Sequence, residues 1–150
     1  MNLKPISIER LEAGSSLADY RRLRIMLWPE CEPDCSREMQ NILADSRWVV
    51  FLARNEQGEV IGFLEVNLRE YVDGAETSPV GYLEGLYVVA SYRQRGIARA
   101  LVEEGERWAR SRGCSEIASD CLIDNHVSFE VHKQMGYQEV ERKICFLKRL

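Results

Sequence analysis

Residues 80–112 read VGYLEGLYVVASYRQRGIARALVEEGERWARSR, and this stretch decides the fold. Gly81–Val89 is rich in Tyr, Leu and Val, as a buried strand is. The loop Arg93-Gln94-Arg95-Gly96-Ile97-Ala98 follows at once. Beyond it, Ile97, Leu101 and Trp108, and beside them Ala98, Val102 and Ala109, recur at helical spacing. A loop opening a helix offers unpaired backbone N–H groups at the positive end of the helix dipole. Gly96 and Ala98 let that backbone approach an anion closely, and Arg93, Arg95 and Arg99 add charge. The segment therefore reads as a strand, a phosphate-binding loop and a helix. A dinucleotide fingerprint fits less well, because Ala98 stands where a second glycine is required and no glycine follows one turn later.

Working outward toward the N-terminus, Lys4–Ser7 reads as a first strand. Ser16–Trp28 reads as a helix with Leu17, Tyr20, Leu23 and Leu27 in one stripe, stopped by Pro29. Ser36 can cap a second helix running to about Ala44. Trp48–Arg54 and Val60–Arg69 read as strands joined by an Asn55–Gly58 hairpin turn, followed by a polar loop from Tyr71 to Pro79. Toward the C-terminus, Gly113 ends the long helix and Glu116–Cys121 reads as a short strand. Asp124 or Asn125 caps a helix carrying Val127, Val131 and Met135. Tyr137–Leu150 alternates apolar residues with no Gly, Pro or Asn, as one long strand or a tight pair would. The order β-α-α-β-β-β-α-β-α-β predicts an α/β protein: a mixed sheet of about six to seven strands, helices on both faces, and a right-handed parallel crossover after the central strand.

A chain of 150 residues with 45% hydrophobic content suits one domain spanning 1–150. No stretch is apolar enough to cross a membrane, and Met1–Pro5 has no signal-peptide core, which points to the cytoplasm. The net charge of −4 argues against nucleic acid and is compatible with a cationic small molecule. The five cysteines form no ligand or disulfide pattern, so no metal site is expected and free thiols suit a reducing compartment.

Two carboxylates stand out. Glu84 lies inside the apolar central strand beside Gly85, where a strand glycine marks a bulge or a close approach. Asp120 ends the strand expected to lie parallel to it, and ligands gather at such strand ends. The two are expected to flank one cleft. Cys121, on the opposite side of the strand from Asp120, reads as core.

The loop Arg93-x-x-Gly96-x-Ala98, between that strand and that helix, resembles the acetyl-CoA pyrophosphate loop of the GNAT superfamily of N-acetyltransferases. That family has the same element order. The phrases Tyr71–Val88 and Ala118–Asn125 resemble, more closely, the aminoglycoside 6′-N-acetyltransferases of bacterial resistance. The resemblance implies transfer of acetyl from acetyl-CoA directly to an aminoglycoside 6′-amine. It implies an aminoglycoside site lined by Trp28, Tyr71, Glu84, Asp120 and Glu141, with Glu84 and Asp120 as the catalytic carboxylates. It implies acetyl-CoA binding by Leu86, Tyr87 and Val88, whose backbone would pair with the pantetheine arm and stabilise the oxyanion, and by Gln94, Arg95, Gly96, Ile97, Ala98, Arg99 and Asn125. An unpaired edge at Tyr137–Leu150 and the same resemblance both predict a homodimer. The competing readings are an acetyltransferase for another amine (a polyamine, a metabolite or a protein N-terminus) and an acetyl-CoA sensor without turnover.

Overall fold

The computed structural model describes residues 5–150. Five strands form one sheet in sequence order: β1 (Ser7–Arg10), β2 (Trp48–Arg54), β3 (Val60–Arg69), β4 (Val80–Val88) and β5 (Ile117–Ala118). The first four are antiparallel neighbours, and β4 pairs with β5 in parallel. The helices are α1 (Leu17–Leu27), α2 (Cys35–Ala44), α3 (Ile97–Ser111) and α4 (His126–Gln134). The expected first strand begins later than predicted, at Ser7, and Lys4 lies outside the described residues.

Alternation along β2 and β3 supplies a core on each face. On one side Tyr20 and Leu23 of α1 and Cys35, Met39 and Ile42 of α2 cover Val50, Leu52 and Phe63. On the other, Ile97, Leu101, Val102, Trp108 and Ala109 of α3 cover Val49, Phe51, Leu64, Val66 and Leu83. Helices on both faces of a mixed sheet agree with the sequence reading.

Three expectations are corrected. Among the described residues the sheet has five strands, where about six to seven were expected. Tyr137–Leu150 forms no strand and pairs with no strand of the sheet; Val140, Ile144, Phe146 and Leu147 are left exposed. The expected strand Glu116–Cys121 shrinks to Ile117–Ala118, since only Gly81 and Tyr82 of β4 lie opposite it. Asp120 therefore sits just past the strand, and Cys121 is half-buried rather than core.

That short pairing creates the cleft. Beyond Tyr82 the edge of β4 has no neighbour, so β4 and β5 separate and leave the backbone of Leu83–Val88 open on that side. Across the other edge, the β3–β4 register shifts between Glu65, which faces Gly85, and Val66, which faces Leu83. Glu84 is the extra, unopposed residue: the bulge anticipated at Glu84-Gly85.

Candidate active site

An open cavity of about 330 Å³ lies against the bulge, lined by Arg24, Trp28, Glu30, Cys31, Glu38, Trp48, Glu65 and Glu84. Its position follows from the fold. Trp28 ends α1, just before the turn Pro29–Cys31, and its ring settles over Gly85. A Cβ on Gly85 would lie 2.2 Å from the Trp28 ring, so the close approach that this glycine serves is that of an indole. Phe63 meets Trp28 edge-on at 6.2 Å, and the Arg24 guanidinium lies 5.0 Å from the ring centroid.

Beneath the cavity lies a polar row that the sequence reading missed. Phe63, Glu65, Asn67 and Arg69 alternate onto one face of β3. Glu65 is buried, accepts hydrogen bonds from the Tyr20 hydroxyl and from Arg24 Nε at 2.6 Å, and Arg24 reaches on to Glu38 at 2.8 Å. Burial pushes the Glu65 carboxyl up, against the pull of Arg24 and Tyr20. Burial and then Glu65 likewise push the Tyr20 phenol far up, so it stays a donor. A single carboxylate in the apolar run 60–69 was the available signal that a buried partner must exist.

Glu84, half-buried, is gripped by one oxygen. Arg69 Nη2 and Nε donate to its Oε1 at 2.6 and 3.2 Å. Asp120 is exposed and accepts from the Tyr82 hydroxyl. Burial first, then Asp120, raises the Tyr82 phenol. Arg69 lies flat on the Tyr82 ring, 3.5 Å from its centroid, so the two carboxylates are joined through one arginine and one tyrosine. Glu84 lines the cavity and Asp120 does not; the link between them runs through Arg69 and Tyr82.

Tyr71 and Glu141 stand apart from the cavity walls. The exposed Tyr71 donates to Asp73 at 2.9 Å, and Asp73 accepts from Lys143 at 2.6 Å. Val140 presses on Gly74, so the C-terminal segment carrying Glu141 runs beside the 71–79 loop. The hydrogen bond from Tyr71 to Asp73, and then the charge of Asp73, raise the phenol.

The loop before α3 has the form an anion needs. Gln94 and Gly96 are left-handed, at φ 61° and 78°, and no side chain caps the first turn of α3. A Cβ on Gly96 would meet nothing within 4 Å, so the loop is open on the side where a side chain would project. Arg93 Nε ties the loop back to the Val88 carbonyl at 2.8 Å, and Arg95 stacks on Tyr92. Arg99 donates to the Gln134 carbonyl at 2.8 Å, which draws the end of α4 toward α3. Ile97 is buried in the core and Ala98 half-buried against it. Asn125, not Asp124, caps α4, with its Oδ1 accepting from the Ser128 N–H at 3.0 Å. His132 on α4 bridges the Ser128 carbonyl and the Ser119 hydroxyl, at 2.7 and 2.8 Å. The residues thus suit a phosphate-bearing thioester whose arm lies in the opening between β4 and β5. Among the described residues no group of three or more His, Cys, Asp or Glu could hold a metal ion.

A splayed parallel pair, a bulge at the split and an uncapped anion loop define an acyl-CoA-dependent acetyltransferase. The chain belongs to the acetyltransferase (GNAT) family, which it matches over residues 17–137. It is 40% identical over 151 residues to an aminoglycoside N(6′)-acetyltransferase type 1 of Acinetobacter genomosp. 13, covering 100% of this chain and 99% of that one. It is 42% identical over 138 residues to the type 1 enzyme of Stenotrophomonas maltophilia, covering 91% and 90% of the two chains. Among solved structures, AAC(6′)-Iy in complex with the bisubstrate analog CoA-S-monomethyl-acetylneamine superimposes with a TM-score of 0.93 at 36% identity, over 98% of this chain and 100% of that one.

Proposed function

We infer that this enzyme transfers acetyl from acetyl-CoA to the 6′-amine of aminoglycoside antibiotics, and so confers resistance to them. The observation that carries the reading is the meeting of an acidic, tryptophan-walled cavity with the split between β4 and β5. Full-length relatives at about 40% identity with this activity support it.

The residues take their roles from this geometry. The whole chain acts as one domain. Gln94–Arg99 would hold the pyrophosphate at the head of α3, with Asn125 beside the cofactor from α4. Leu86, Tyr87 and Val88 would pair through their backbone with the extended pantetheine arm, along the edge of β4 that lacks a neighbour. Trp28 walls the cavity, Glu84, Asp120 and Glu141 draw in the polycation, and Tyr71 offers it a hydroxyl and a ring face. The amine arrives as ammonium. Glu84 or Asp120, directly or through water, takes its proton. The nitrogen then attacks the acetyl carbonyl; the C–N bond forms, the C–S bond breaks, the nitrogen's second proton passes to the leaving thiolate, and coenzyme A departs as the thiol. No covalent acetyl-enzyme is needed. The cavity-lining Cys31 is a poor nucleophile, its thiol pushed up to about 11 by burial and by Cys35.

A homodimer accounts for the C-terminal segment. Phe146 and Leu147 are 91% and 89% exposed, and Leu122, Ile123 and Val127 lie bare before and within α4. A second copy would cover these apolar side chains and give Tyr137–Leu150 a partner to pair with. Light scattering is expected to give twice 17.3 kDa; a mass near 17.3 kDa overturns the dimer. The free cysteines are compatible with a reducing compartment such as the cytoplasm, and no helix among the described residues is long and apolar enough to cross a membrane.

The reading is tested by coenzyme A thiol release with kanamycin, tobramycin, spermidine and a peptide panel. Release with the two antibiotics and not with the others is expected. Preference for spermidine or a peptide would overturn it.

A further inference from the structure

We propose that Arg69 and Tyr82 are positioning residues that lock Glu84 and Asp120 into one two-carboxylate bracket for the incoming amine. The inference rests on the aminoglycoside reading above and concerns how that site is held.

The register places the pair. Tyr82 faces Asn67 directly across β3–β4, and Arg69 is two residues further along β3, on the same face and diagonal to Tyr82. The guanidinium therefore lies on the ring, at 3.5 Å from the centroid. A stacked guanidinium has its plane fixed, and both Nε and Nη2 point at Glu84 Oε1. The bulge turns Glu84 out of the ladder toward these donors. At its other end Tyr82 donates to Asp120 Oδ2. No hydrogen bond from the described residues reaches Glu84 Oε2 or Asp120 Oδ1. Each carboxylate is thus held by one oxygen and presents the other.

This matters because both carboxylates would otherwise move. Asp120 stands on exposed chain beyond a two-residue strand, and Glu84 sits in a bulge. Holding reacting groups in place is where an active site gains much of its rate, and a displacement of about 1 Å can cost about 10²-fold. Neither Arg69 nor Tyr82 lines the cavity; they act through the two acids.

The geometry predicts a specific pattern of coupling. Tyr82→Phe keeps the ring under Arg69 and removes only the hydroxyl. It should lower kcat about tenfold with KM nearly unchanged, by loss of Asp120 orientation alone. Combined with Asp120→Asn it should cost no more than Asp120→Asn by itself, whereas combined with Glu84→Gln the losses should multiply. Arg69→Met should show the reverse: no added loss with Glu84→Gln, and multiplication with Asp120→Asn. Coenzyme A release on a 6′-amine aminoglycoside gives all the rates, and unchanged affinity for coenzyme A, measured by calorimetry, shows that each variant is folded. Tyr82→Phe with the kcat and KM of the parent, or losses that multiply between Tyr82→Phe and Asp120→Asn, would overturn the proposal. Should Tyr82→Phe not fold, the Arg69→Met and Glu84→Gln cycle decides alone, and multiplied losses there overturn it. No release by the parent chain would instead overturn the substrate reading.

Discussion

Trp28 closes over Gly85 so tightly that a methyl group on that glycine would lie 2.2 Å from the indole. The contact joins the end of α1 to the bulge in β4, so the cavity wall and the residue beside Glu84 form one unit. Gly85→Ala must therefore displace the ring. The substitution is expected to cost about 1–3 kcal/mol of stability through overpacking. It should also lower kcat/KM sharply for the aminoglycoside, while the affinity for acetyl-CoA stays the same. Thermal melting and initial rates check both parts. A variant with full activity would show that the Trp28 seat has no part in substrate binding.

Neutralising either acid should slow the reaction. Glu84→Gln and Asp120→Asn are each expected to lower turnover by about 10²-fold or more if the residue assists proton removal. Steady-state kinetics separates the roles: a loss confined to KM makes the residue an anchor for the ammonium rather than a proton acceptor. Full kcat and KM in either variant would remove that residue from the site.

Gly96 stands at the head of α3 with φ 78° and open space before it. Gly96→Val should abolish acetyl-CoA binding. The branched side chain would fill the space of the pyrophosphate, and the left-handed backbone opposes it by about 1–2 kcal/mol. Calorimetry on the folded variant tests this; unchanged affinity would place the phosphates elsewhere.

Glu116 clamps the 71–79 loop. It accepts from the Thr77 hydroxyl and from the N–H groups of Glu76 and Thr77 at 2.9 and 2.7 Å. The Thr77 hydroxyl first, and then the Glu76 N–H, hold its carboxyl below the usual range. A depressed carboxyl stabilises the fold fully above its unfolded value of about 4.3 and loses that contribution as pH falls through the folded value. Amide exchange at Glu76 and Thr77 should therefore be protected at neutral pH and lose protection, beyond the intrinsic pH dependence of exchange, well below pH 4.3 or so. Glu116→Gln should weaken the protection at neutral pH. Equal protection in the variant and the parent would contradict the clamp.

The order of elements was legible because each was punctuated. Pro29, Gly58 and Gly113 stop their segments, and the apolar spacing of α3 has one reading. Glu84-Gly85 announced a bulge by placing a charge and a glycine in an apolar strand. The coupling of Glu84 to Asp120 was not legible. Arg69 reads as an ordinary charge at a strand end and Tyr82 as an ordinary strand aromatic, and only the β3–β4 register, which sets Arg69 diagonal to Tyr82, stacks one on the other. The Glu65–Arg24–Tyr20 cluster needs α1 laid across β3, a contact between residues 41 and 45 positions apart. The last segment alternates like a strand, but alternation cannot say whose edge it pairs with. The roles of Tyr71 and Glu141 came from resemblance alone; near them the chain provides the Tyr71–Asp73–Lys143 chain of hydrogen bonds and the Val140–Gly74 contact.

The central claim, acetyl transfer to the 6′-amine, is tested most directly by comparing two aminoglycosides that differ at one atom: one with a 6′-amine, the other with a 6′-hydroxyl. Coenzyme A thiol release is followed with each at equal concentration. The account predicts rapid release with the amine and release at the level of the blank with the hydroxyl. Equal rates on the two would contradict it.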